Sequence, residues 1–585
     1  MSFQQLLQSA TRHFIRYPVL LRGDQNWCLS HLNQLENLTL VSDNIDGGMS
    51  WKQTKALLGQ DCFHVALDIS EGLDAERLCA IAGCIRGGSL LILFGLSESP
   101  TDNFFLRLCN MFNQKTVAVF CQQEGVRLPA LADLCVGESV KERQDGQPTN
   151  DQEIAIQSVK KVLGGHRRRP CLLTADRGRG KSSAMGMAAA SILCEKKTSI
   201  VVTSPRKANV ETLFSHARNL LELSLDKPYE LVTSSGGRLR YVAPDQLIRD
   251  VSDADFVLVD EAAAIPLPML ERLLSKFSRI CFSTTEHGYE GTGKGFTTRF
   301  RALLDARCKG WKEVTLHQPI RWAESDPLEL WLSDTFLFDC EPALVAFDEA
   351  SPIDYRIVEP RQLLGDEAQL RSLFGLLISA HYQTSPNDLK HILNDASCTI
   401  LTANQNDVVV GALLAQKEGE ISDVIADKIV AGERRVRGHL LAQGLGFYTG
   451  DSTFLSLPCL RVSRVAVLPS FRRHGVASQL VKLCEQTGAK KNVPLIGTSF
   501  GATSELFSFW RGLGFLPIKM GTQRDSASGH YSLLMTRGLD DSVNHLPLYH
   551  DLFEINFSKQ LAEQFFDLEP RSLLLSSLRL LHVFH

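Results

Sequence analysis

Residues 171–183 read CLLTADRGRGKSS, an apolar run that passes into a glycine-rich turn and then into the helix-prone stretch 183–194. A strand, a glycine-rich loop and a helix in this order form a phosphate site, because the loop amides and the amino end of the helix both attract anions. The stretch follows the pattern G-x-x-x-x-G-K-[ST], except that Ala175 stands in place of the first glycine. An ordinary turn between a strand and a helix is the alternative. The stretch predicts an α/β domain that binds a nucleotide.

The residues of this loop have separate expected roles. Gly178 and Gly180 let backbone amides close around the phosphates. Lys181 is expected to reach the β and γ oxygens, and the Ser182 hydroxyl to complete the shell of a Mg²⁺ ion. ATP and Mg²⁺ are therefore the cofactors expected here. The predicted ATP-binding residues of the loop are Ala175, Asp176, Arg177, Gly178, Arg179, Gly180, Lys181, Ser182 and Ser183.

Residues 255–261 read DFVLVDE, a buried-strand pattern that ends in two carboxylates. Asp260 is expected to orient Mg²⁺ through water and Glu261 to polarise the attacking water, so both are predicted to be catalytic. Ser182 and Asp260 are then the predicted metal residues. An apolar strand that ends in Asp-Glu is often merely structural. Its position after a phosphate loop in the same α/β block favours the catalytic interpretation.

Further polar segments follow neighbouring strands of the same block. The segments TSPRKAN at 203–209 and STT at 283–285 lie at carboxyl ends of predicted strands, where ligands collect in open parallel sheets. They fit the core of a helicase-like ATPase. Gln152 is a candidate for reading the adenine edge, and Arg321 for approaching the γ-phosphate. For each of these two isolated residues, an ordinary surface position is the alternative.

A second motif occupies residues 460–478, which read LRVSRVAVLPSFRRHGVAS. An alternating strand, the pattern R-x-x-G-x-A and a helix suit the pyrophosphate of coenzyme A, because the small residues let backbone amides approach its oxygens. The thioester carbonyl is expected to lie against an amide near Val467. Glu505 either removes the proton of an attacking amine or shapes the pocket. The predicted cofactor-binding residues are Val465, Ala466, Val467, Arg472, Arg473, His474, Gly475, Val476, Ala477, Ser478, Glu505 and Arg511.

Length and charge set wider limits. A chain of 585 residues is expected to hold three to five domains. Its 62 Lys and Arg against 66 Asp and Glu give a net charge of -4, so a nucleic acid must be held by local basic patches, for which residues 166–169 are one candidate. Fifteen cysteines without a C-x-x-C pair favour reduced thiols in a cytoplasm. No signal peptide or membrane span is expected.

The motifs, in this order, resemble the bacterial tRNA(Met) cytidine acetyltransferase family. The resemblance covers most of the chain. It rests on the segments 174–182, 260–266, 287–296, 319–322, 326–329 and 433–440. It departs from the family pattern at Val436, where a proline is usual.

Short apolar runs at 19–21, 38–41, 63–67, 90–94 and 117–120 alternate with helix-like segments, which predicts a parallel sheet covered by helices. With the two later α/β runs, the expected fold class is multidomain α/β. The resemblance implies ATP-dependent transfer of acetyl from acetyl-CoA to the exocyclic amine of the wobble cytidine in elongator tRNA(Met), forming N(4)-acetylcytidine. No stable protein partner is expected. The alternatives are a nucleotide-regulated acetyltransferase acting on protein or small-molecule amines, and a non-catalytic RNA-binding scaffold. The expected domains are an N-terminal Rossmann-like α/β domain of unassigned role at 1–145, a P-loop helicase-like α/β domain at 146–350, a GNAT-fold acetyltransferase domain at 351–540, and a short helical tail at 541–585 as a candidate for tRNA binding.

Overall fold

The structure is a computed structural model that describes residues 3–58, 60–97, 101–129, 147–224, 227–250, 253–286, 293–380, 385–525, 528–561 and 563–565. The chain divides into two compact units. The first comprises Met1–Asp339 with Tyr382–Lys390, and the second comprises Cys340–His381 with His391–His585.

The N-terminal part of the first unit is a six-stranded sheet in the order β2-β3-β4-β1-β5-β6, parallel except for β6. Its central strands are continuous apolar runs because helices cover both faces, so no side of the strand meets water. The apolar runs of the sequence therefore predict these strands well. The elements are α1 Phe3–His13, β1 Tyr17–Arg22, α2 Gln25–Leu32, β2 Leu38–Val41, β3 His64–Asp68, α3 Ala75–Ala82, β4 Leu90–Phe94, α4 Asn103–Met111, β5 Ala118–Cys121 and β6 Gly125–Arg127.

The rest of the first unit is a seven-stranded sheet in the order β13-β7-β12-β11-β8-β10-β9, parallel except for β9. Helices α5 to α7 supply one apolar core and α8 to α10 the other, so the sheet is covered on both faces. The elements are α5 Asn150–Gly164, β7 Cys171–Ala175, α6 Lys181–Glu195, β8 Ser199–Thr203, α7 Glu211–Leu220, β9 Glu230–Val232, β10 Arg238–Tyr241, α8 Pro244–Asp250, β11 Phe256–Val259, α9 Leu267–Lys276, β12 Ile280–Thr285, α10 Gly293–Arg307, β13 Lys312–Leu316 and α11 Pro327–Phe336.

The second unit is built on a seven-stranded sheet in the order β14-β15-β16-β17-β18-β20-β19. All neighbours are antiparallel except β17 and β18, which run parallel. The remaining elements of the chain are β14 Asp354–Val358, α12 Pro360–Gly365, α13 Glu367–Ala380, α14 Pro386–Asn394, β15 Cys398–Gln405, β16 Val408–Glu418, α15 Asp423–Val430, α16 Leu440–Thr449, α17 Thr453–Ser456, β17 Cys459–Val467, α18 Val476–Lys490, β18 Leu495–Gly501, α19 Ser504–Gly512, β19 Leu516–Arg524, β20 Tyr531–Gly538 and α20 Leu546–Gln560.

The multidomain α/β fold class is confirmed. The N-terminal and P-loop sheets, expected as separate domains, belong to one compact unit. Within the predicted helical tail, α20 covers residues 546–560. Residues 130–146, the quoted residues 287–292, and residues 566–585 of the tail lie outside the described residues. Among the helices that the structure describes, none has the length and apolar character needed to cross a membrane.

Candidate active sites

The loop between β7 and α6 has the backbone that a phosphate site requires. Gly178 and Gly180 have φ values of +80° and +74°, a region that side chains make costly. A Cβ added at Gly178 would lie 2.7 Å from the Trp322 ring, and one at Gly180 would lie 2.2 Å from Ile320 Cδ1. Both glycines are thus needed for conformation and for space. The loop amides and the start of α6 at Lys181 remain as the groups that face an anion.

Lys181 is held at the edge of the sheet by two oxygens. Its Nζ donates to Thr285 Oγ1 at 3.0 Å and to the carbonyl oxygen of Ala175 at 3.5 Å. Burial lowers the pKa of the Lys181 ammonium, while the nearby Glu261 and Asp260 carboxylates act in the opposite direction. An anion at the loop would stabilise the charged ammonium, as expected for a lysine that binds phosphate.

Four buried oxygens at the carboxyl ends of β8, β11 and β12 lack a hydrogen-bond partner within the described residues. They are Thr203 Oγ1, Ser204 Oγ, Asp260 Oδ2 and Thr284 Oγ1. The other carboxylate oxygen of Asp260 accepts from the Ser283 hydroxyl and from the Glu261 amide. Buried polar atoms are normally paired, so this cluster fits a site completed by water or by a hydrated ion. Oxygen donors at this edge suit Mg²⁺, which keeps most of its waters.

Glu261 follows β11 directly and has a left-handed backbone with φ of +53°. Such a conformation costs a non-glycine residue about 1 kcal/mol and is found where the surrounding structure enforces it. It places Glu261 beside Asp260 and near enough to Lys181 to influence its charge. The structure therefore brings together Lys181, Asp260 and Glu261, while their catalytic roles remain predictions.

The two isolated candidates for the nucleotide site differ in their positions. Gln152 is 3% exposed, and its Nε2 donates to the Gly180 carbonyl at 3.1 Å, so it lies against the phosphate loop. Its Oε1 accepts from the Thr149 amide, which leaves little capacity for reading a base. Arg321 instead binds the N-terminal part of the unit, through the Gly83 carbonyl at 3.0 Å and Asp61 at 3.1 Å. To reach a γ-phosphate, Arg321 would have to leave both partners.

In the second unit, β17 and β18 pair only over Cys459–Val462 and Leu495–Thr498. Beyond these residues the two parallel strands separate. The edge of β17 that faces β18 therefore has no strand hydrogen-bonded to it over residues 463–467. On its other edge β17 continues to pair with β16, with a register shift at Leu414/Ala415. The result is an opening between two parallel strands in which alternate amides of 463–467 lack ladder partners. A linear arm ending in a carbonyl fits such an edge.

The turn after β17 presents amides at the start of α18. Arg473 and Gly475 have φ values of +66° and +80°, and no atom lies within 4 Å of a Cβ added at Gly475. Successive amides in left-handed and helical conformations form a concave anion site. The first turn of α18, Val476 to Ser478, adds amides without partners inside the helix and the positive end of its dipole.

The side chains near this turn are mostly solvated. Arg473 and Glu505 are 91% and 86% exposed and stand 3.9 Å apart. The His474 ring stacks on Phe347 at 3.9 Å between centroids, so His474 can serve the turn only through its backbone. Arg472 donates to the Val467 carbonyl at 3.3 Å. Glu505 therefore lies beside the predicted coenzyme turn, and its role as a base stays a prediction.

One close partner of the phosphate loop is not predicted from the sequence. Trp322 belongs to a quoted segment, but its packing against Gly178 and its hydrogen bond to Glu329 have no local sequence signal. A tryptophan shortly after a β-strand is equally compatible with an ordinary core position.

The first site has the loop and carboxylates of a P-loop ATPase, and the second has the parting strands and glycine turn of an acetyltransferase that uses coenzyme A. These features define the class of proteins in which the two domains are fused. Family models match accordingly: tRNA(Met) cytidine acetyltransferase TmcA, N-terminal, at residues 1–108; RNA cytidine acetyltransferase NAT10/TcmA, helicase domain, at 172–339; and GNAT acetyltransferase 2 at 372–491 and 480–540.

The chain belongs to the tRNA(Met) cytidine acetyltransferase TmcA family. It is 37% identical to the TmcA of Vibrio cholerae over 577 residues. The matched region covers 97% of this chain and 80% of that protein. The TmcA of Nitrosococcus halophilus is 35% identical over 95% of this chain and 80% of its own length. The TmcA of Haloferax volcanii is 34% identical over 85% of this chain and 71% of its own length. The resemblance stated from the sequence is confirmed.

Proposed function

We propose that this chain transfers acetyl from acetyl-CoA to the exocyclic amine of the wobble cytidine in elongator tRNA(Met), in the cytoplasm, and that ATP hydrolysis at the phosphate loop drives this reaction. The observation that carries the proposal is the opening between β17 and β18 next to the amide-lined start of α18, on the same chain as an intact phosphate loop. The family membership of the chain supports the choice of tRNA as substrate.

The acetyl transfer uses the chain mainly to position and to stabilise charge. The turn from Arg472 to Ser478 holds the pyrophosphate, and an unpaired amide near Val467 donates to the thioester oxygen as negative charge develops on it. The cytidine nitrogen forms a bond to the carbonyl carbon while the carbon–sulfur bond breaks. The amine proton passes to a base, for which Glu505 is the candidate, and the thiolate leaves and is protonated. A cytosine amine is a poor nucleophile, so its positioning carries much of the barrier.

At the phosphate loop, Ser182 and Asp260 are the residues that would hold Mg²⁺, which neutralises charge on the phosphates. Lys181 binds the terminal phosphate oxygens, and Glu261 orients the water that attacks. The buried oxygens of Thr203, Ser204 and Thr284 hold further water at the same edge. Extracting an anticodon base from its stack costs a few kcal/mol, which hydrolysis at this site can supply.

A surface for RNA phosphates is offered by residues 434–437 of the second unit. Arg434, Arg435 and Arg437 are exposed and have no ion pair with a carboxylate in the described part of the chain. The loop is fixed because the Gln443 side chain accepts from the Val436 amide and donates to its carbonyl, both at 3.0 Å. Burial lowers the pKa of Lys519, and the positive charge of the nearby Arg435 lowers it further. Such unpaired cations suit a polyanion.

The test is to incubate the purified protein with acetyl-CoA, ATP and total tRNA, digest the RNA, and measure N(4)-acetylcytidine by mass. The product should require all three components. Acetylation of a peptide or polyamine with equal efficiency, together with ATPase activity that rises with peptide and not with tRNA, would favour the protein or small-molecule alternative. Binding of tRNA without any acetyl transfer would favour the scaffold.

A further inference from the structure

A four-residue segment, Ile320–Ala323, joins the phosphate loop to the N-terminal sheet of the same unit. The Ile320 amide donates to the Gly178 carbonyl at 3.0 Å. On the other side, the Arg321 carbonyl accepts from the Gly87 amide at 2.7 Å, and the Ala323 amide donates to Phe14 at 2.8 Å. Backbone hydrogen bonds of this kind do not depend on side-chain rotamers. The segment is therefore held at one end by the loop and at the other by the N-terminal part.

The Trp322 side chain packs between the phosphate loop and the N-terminal part of the unit. The guanidinium carbon of Arg16 lies 3.3 Å from the centroid of the indole ring, and the far edge of the ring closes on Gly178. The ring is almost fully buried, with 4% of the residue exposed. A dry stack of a guanidinium on an indole is among the strongest cation–π arrangements. Any movement of Gly178 toward the indole must therefore displace a ring that Arg16 holds in place.

Arg16, which belongs to the N-terminal part, is itself held by several hydrogen bonds. Its guanidinium donates to Asp326 Oδ1 at 2.8 Å and to the Ala82 carbonyl at 2.7 Å, and its amide donates to Asp326 Oδ2 at 2.6 Å. The two side chains are only 1% and 0% exposed. Asp326 also caps α11 by accepting from the Glu329 amide. A buried pair with this many bonds has one geometry, because any other leaves a charge without a partner.

Glu329 closes the connection back to the loop. One carboxylate oxygen accepts from Trp322 Nε1 at 2.9 Å and the other from Arg179 Nη2 at 2.6 Å. Arg179 thus points away from the phosphate cradle, although its backbone belongs to the loop. Its Nε and Nη1 groups are buried without an acceptor among the described residues. The loop arginine is therefore incompletely satisfied within the described residues.

We propose that Trp322 is a positioning residue for the phosphate loop, and that the N-terminal part of the unit, through Arg16, sets the loop geometry that nucleotide binding requires. This inference rests on the proposed nucleotide site, and it gives the N-terminal part a role. Trp322 packs against the loop at Gly178, and its indole N–H donates to Glu329. Its loss should therefore weaken nucleotide binding more than it slows hydrolysis.

The experiment compares the wild-type chain with Trp322→Ala and Trp322→Phe in steady-state ATP hydrolysis. Trp322→Ala should raise KM for ATP by about tenfold and change kcat by less than about threefold. Trp322→Phe keeps an aromatic ring on Arg16 but loses the bond to Glu329, so it should recover most of the lost affinity. Equal KM values in all three proteins, or a loss confined to kcat, would overturn the proposal.

Fluorescence supplies a readout that a merely structural role would not move. The chain has six tryptophans, and Trp322 is the one placed on the loop. Magnesium and ADP should change the tryptophan emission of the wild type, and Trp322→Phe should abolish the change. Trp311→Phe is the matched control, because Trp311 lies at the amino end of β13, whereas the phosphate loop follows the carboxyl end of the neighbouring β7, and its indole donates to Asp305. A signal that survives in Trp322→Phe and disappears in Trp311→Phe would contradict the inference.

Two different results distinguish a wrong nucleotide site from a wrong role for Trp322. If the wild type binds no nucleotide, the nucleotide site itself is wrong. If it binds ADP and the Trp322→Ala protein, shown by thermal unfolding to be folded, binds it with the same affinity, only the positioning role is wrong.

Discussion

Adding a side chain at Gly475 tests the coenzyme turn most directly. With φ of +80°, an alanine there incurs a left-handed penalty of about 1 to 2 kcal/mol in the free energy of unfolding. It meets no protein atom, because nothing lies within 4 Å of the added Cβ. The same space is where the pyrophosphate is expected. The stability cost should therefore be small and the loss of coenzyme binding large.

The size of the binding loss follows from the amides at the turn. Each hydrogen bond to a charged oxygen that is lost costs about 1.5 to 3 kcal/mol, so displacing the pyrophosphate from one amide should weaken coenzyme A binding about 10- to 150-fold. Gly475→Glu adds a negative charge beside the phosphates and should weaken coenzyme A binding more than Gly475→Ala does. Isothermal titration with coenzyme A measures the affinity, and denaturant unfolding measures the stability.

Gly450→Ala is the matched control for this prediction. Gly450 ends α16 in the same unit with φ of +73° and also has open space around an added Cβ. The Gly450→Ala protein should lose about as much stability as the Gly475→Ala protein and should keep its affinity for coenzyme A. Unchanged coenzyme binding in Gly475→Glu, or an equal loss in Gly450→Ala, would refute the assignment of the turn.

Three further outcomes are expected. Lys181→Ala should abolish ATP hydrolysis, measured by phosphate release, and leave coenzyme A affinity intact, because it removes the ammonium at the loop and touches only the first unit. Arg435→Gln should raise KM for tRNA and lower the salt dependence of tRNA binding by about one phosphate contact, with the KM for acetyl-CoA unchanged; a shift confined to acetyl-CoA would contradict it. Burial lowers the pKa of His550 below its ordinary 6.5, so the unfolded chain takes up the proton first as the pH falls. The stability that this residue contributes is present above pH 6.5 and is lost as the pH falls below that value, and His550→Asn should flatten this loss in unfolding curves recorded from about pH 7.5 to 5.5.

Local chemistry explains why much of both sites is predictable from the sequence. The loop around Gly180 and the turn around Gly475 are short stretches whose glycines, charges and flanking strands must occur together. The strands of the N-terminal sheet can also be predicted from the sequence, because parallel strands covered on both faces are continuously apolar. Position at a strand end was enough to place Asp260 and Lys181 at one edge.

The remaining features depend on contacts between distant parts of the chain. Arg16 and Asp326 are separated by 310 residues, and neither has a local pattern that pairs it with the other. Arg321 is predicted to face a phosphate, yet Asp61 and Gly83 hold its side chain on the N-terminal part. The parting of β17 from β18 is likewise a matter of register, which alternation alone does not fix.

The buried Arg16–Asp326 pair has a practical consequence for dissecting the chain. A fragment that starts at residue 147 would retain Asp326 and Trp322 and lose the cation that both require. It would expose the indole of Trp322 and leave Asp326 without its cation, so misfolding of such a piece would say nothing about the intact chain. A fragment meant to retain the ATPase should therefore include both the N-terminal sheet and the sheet that carries the phosphate loop, because the Arg16 contacts join them.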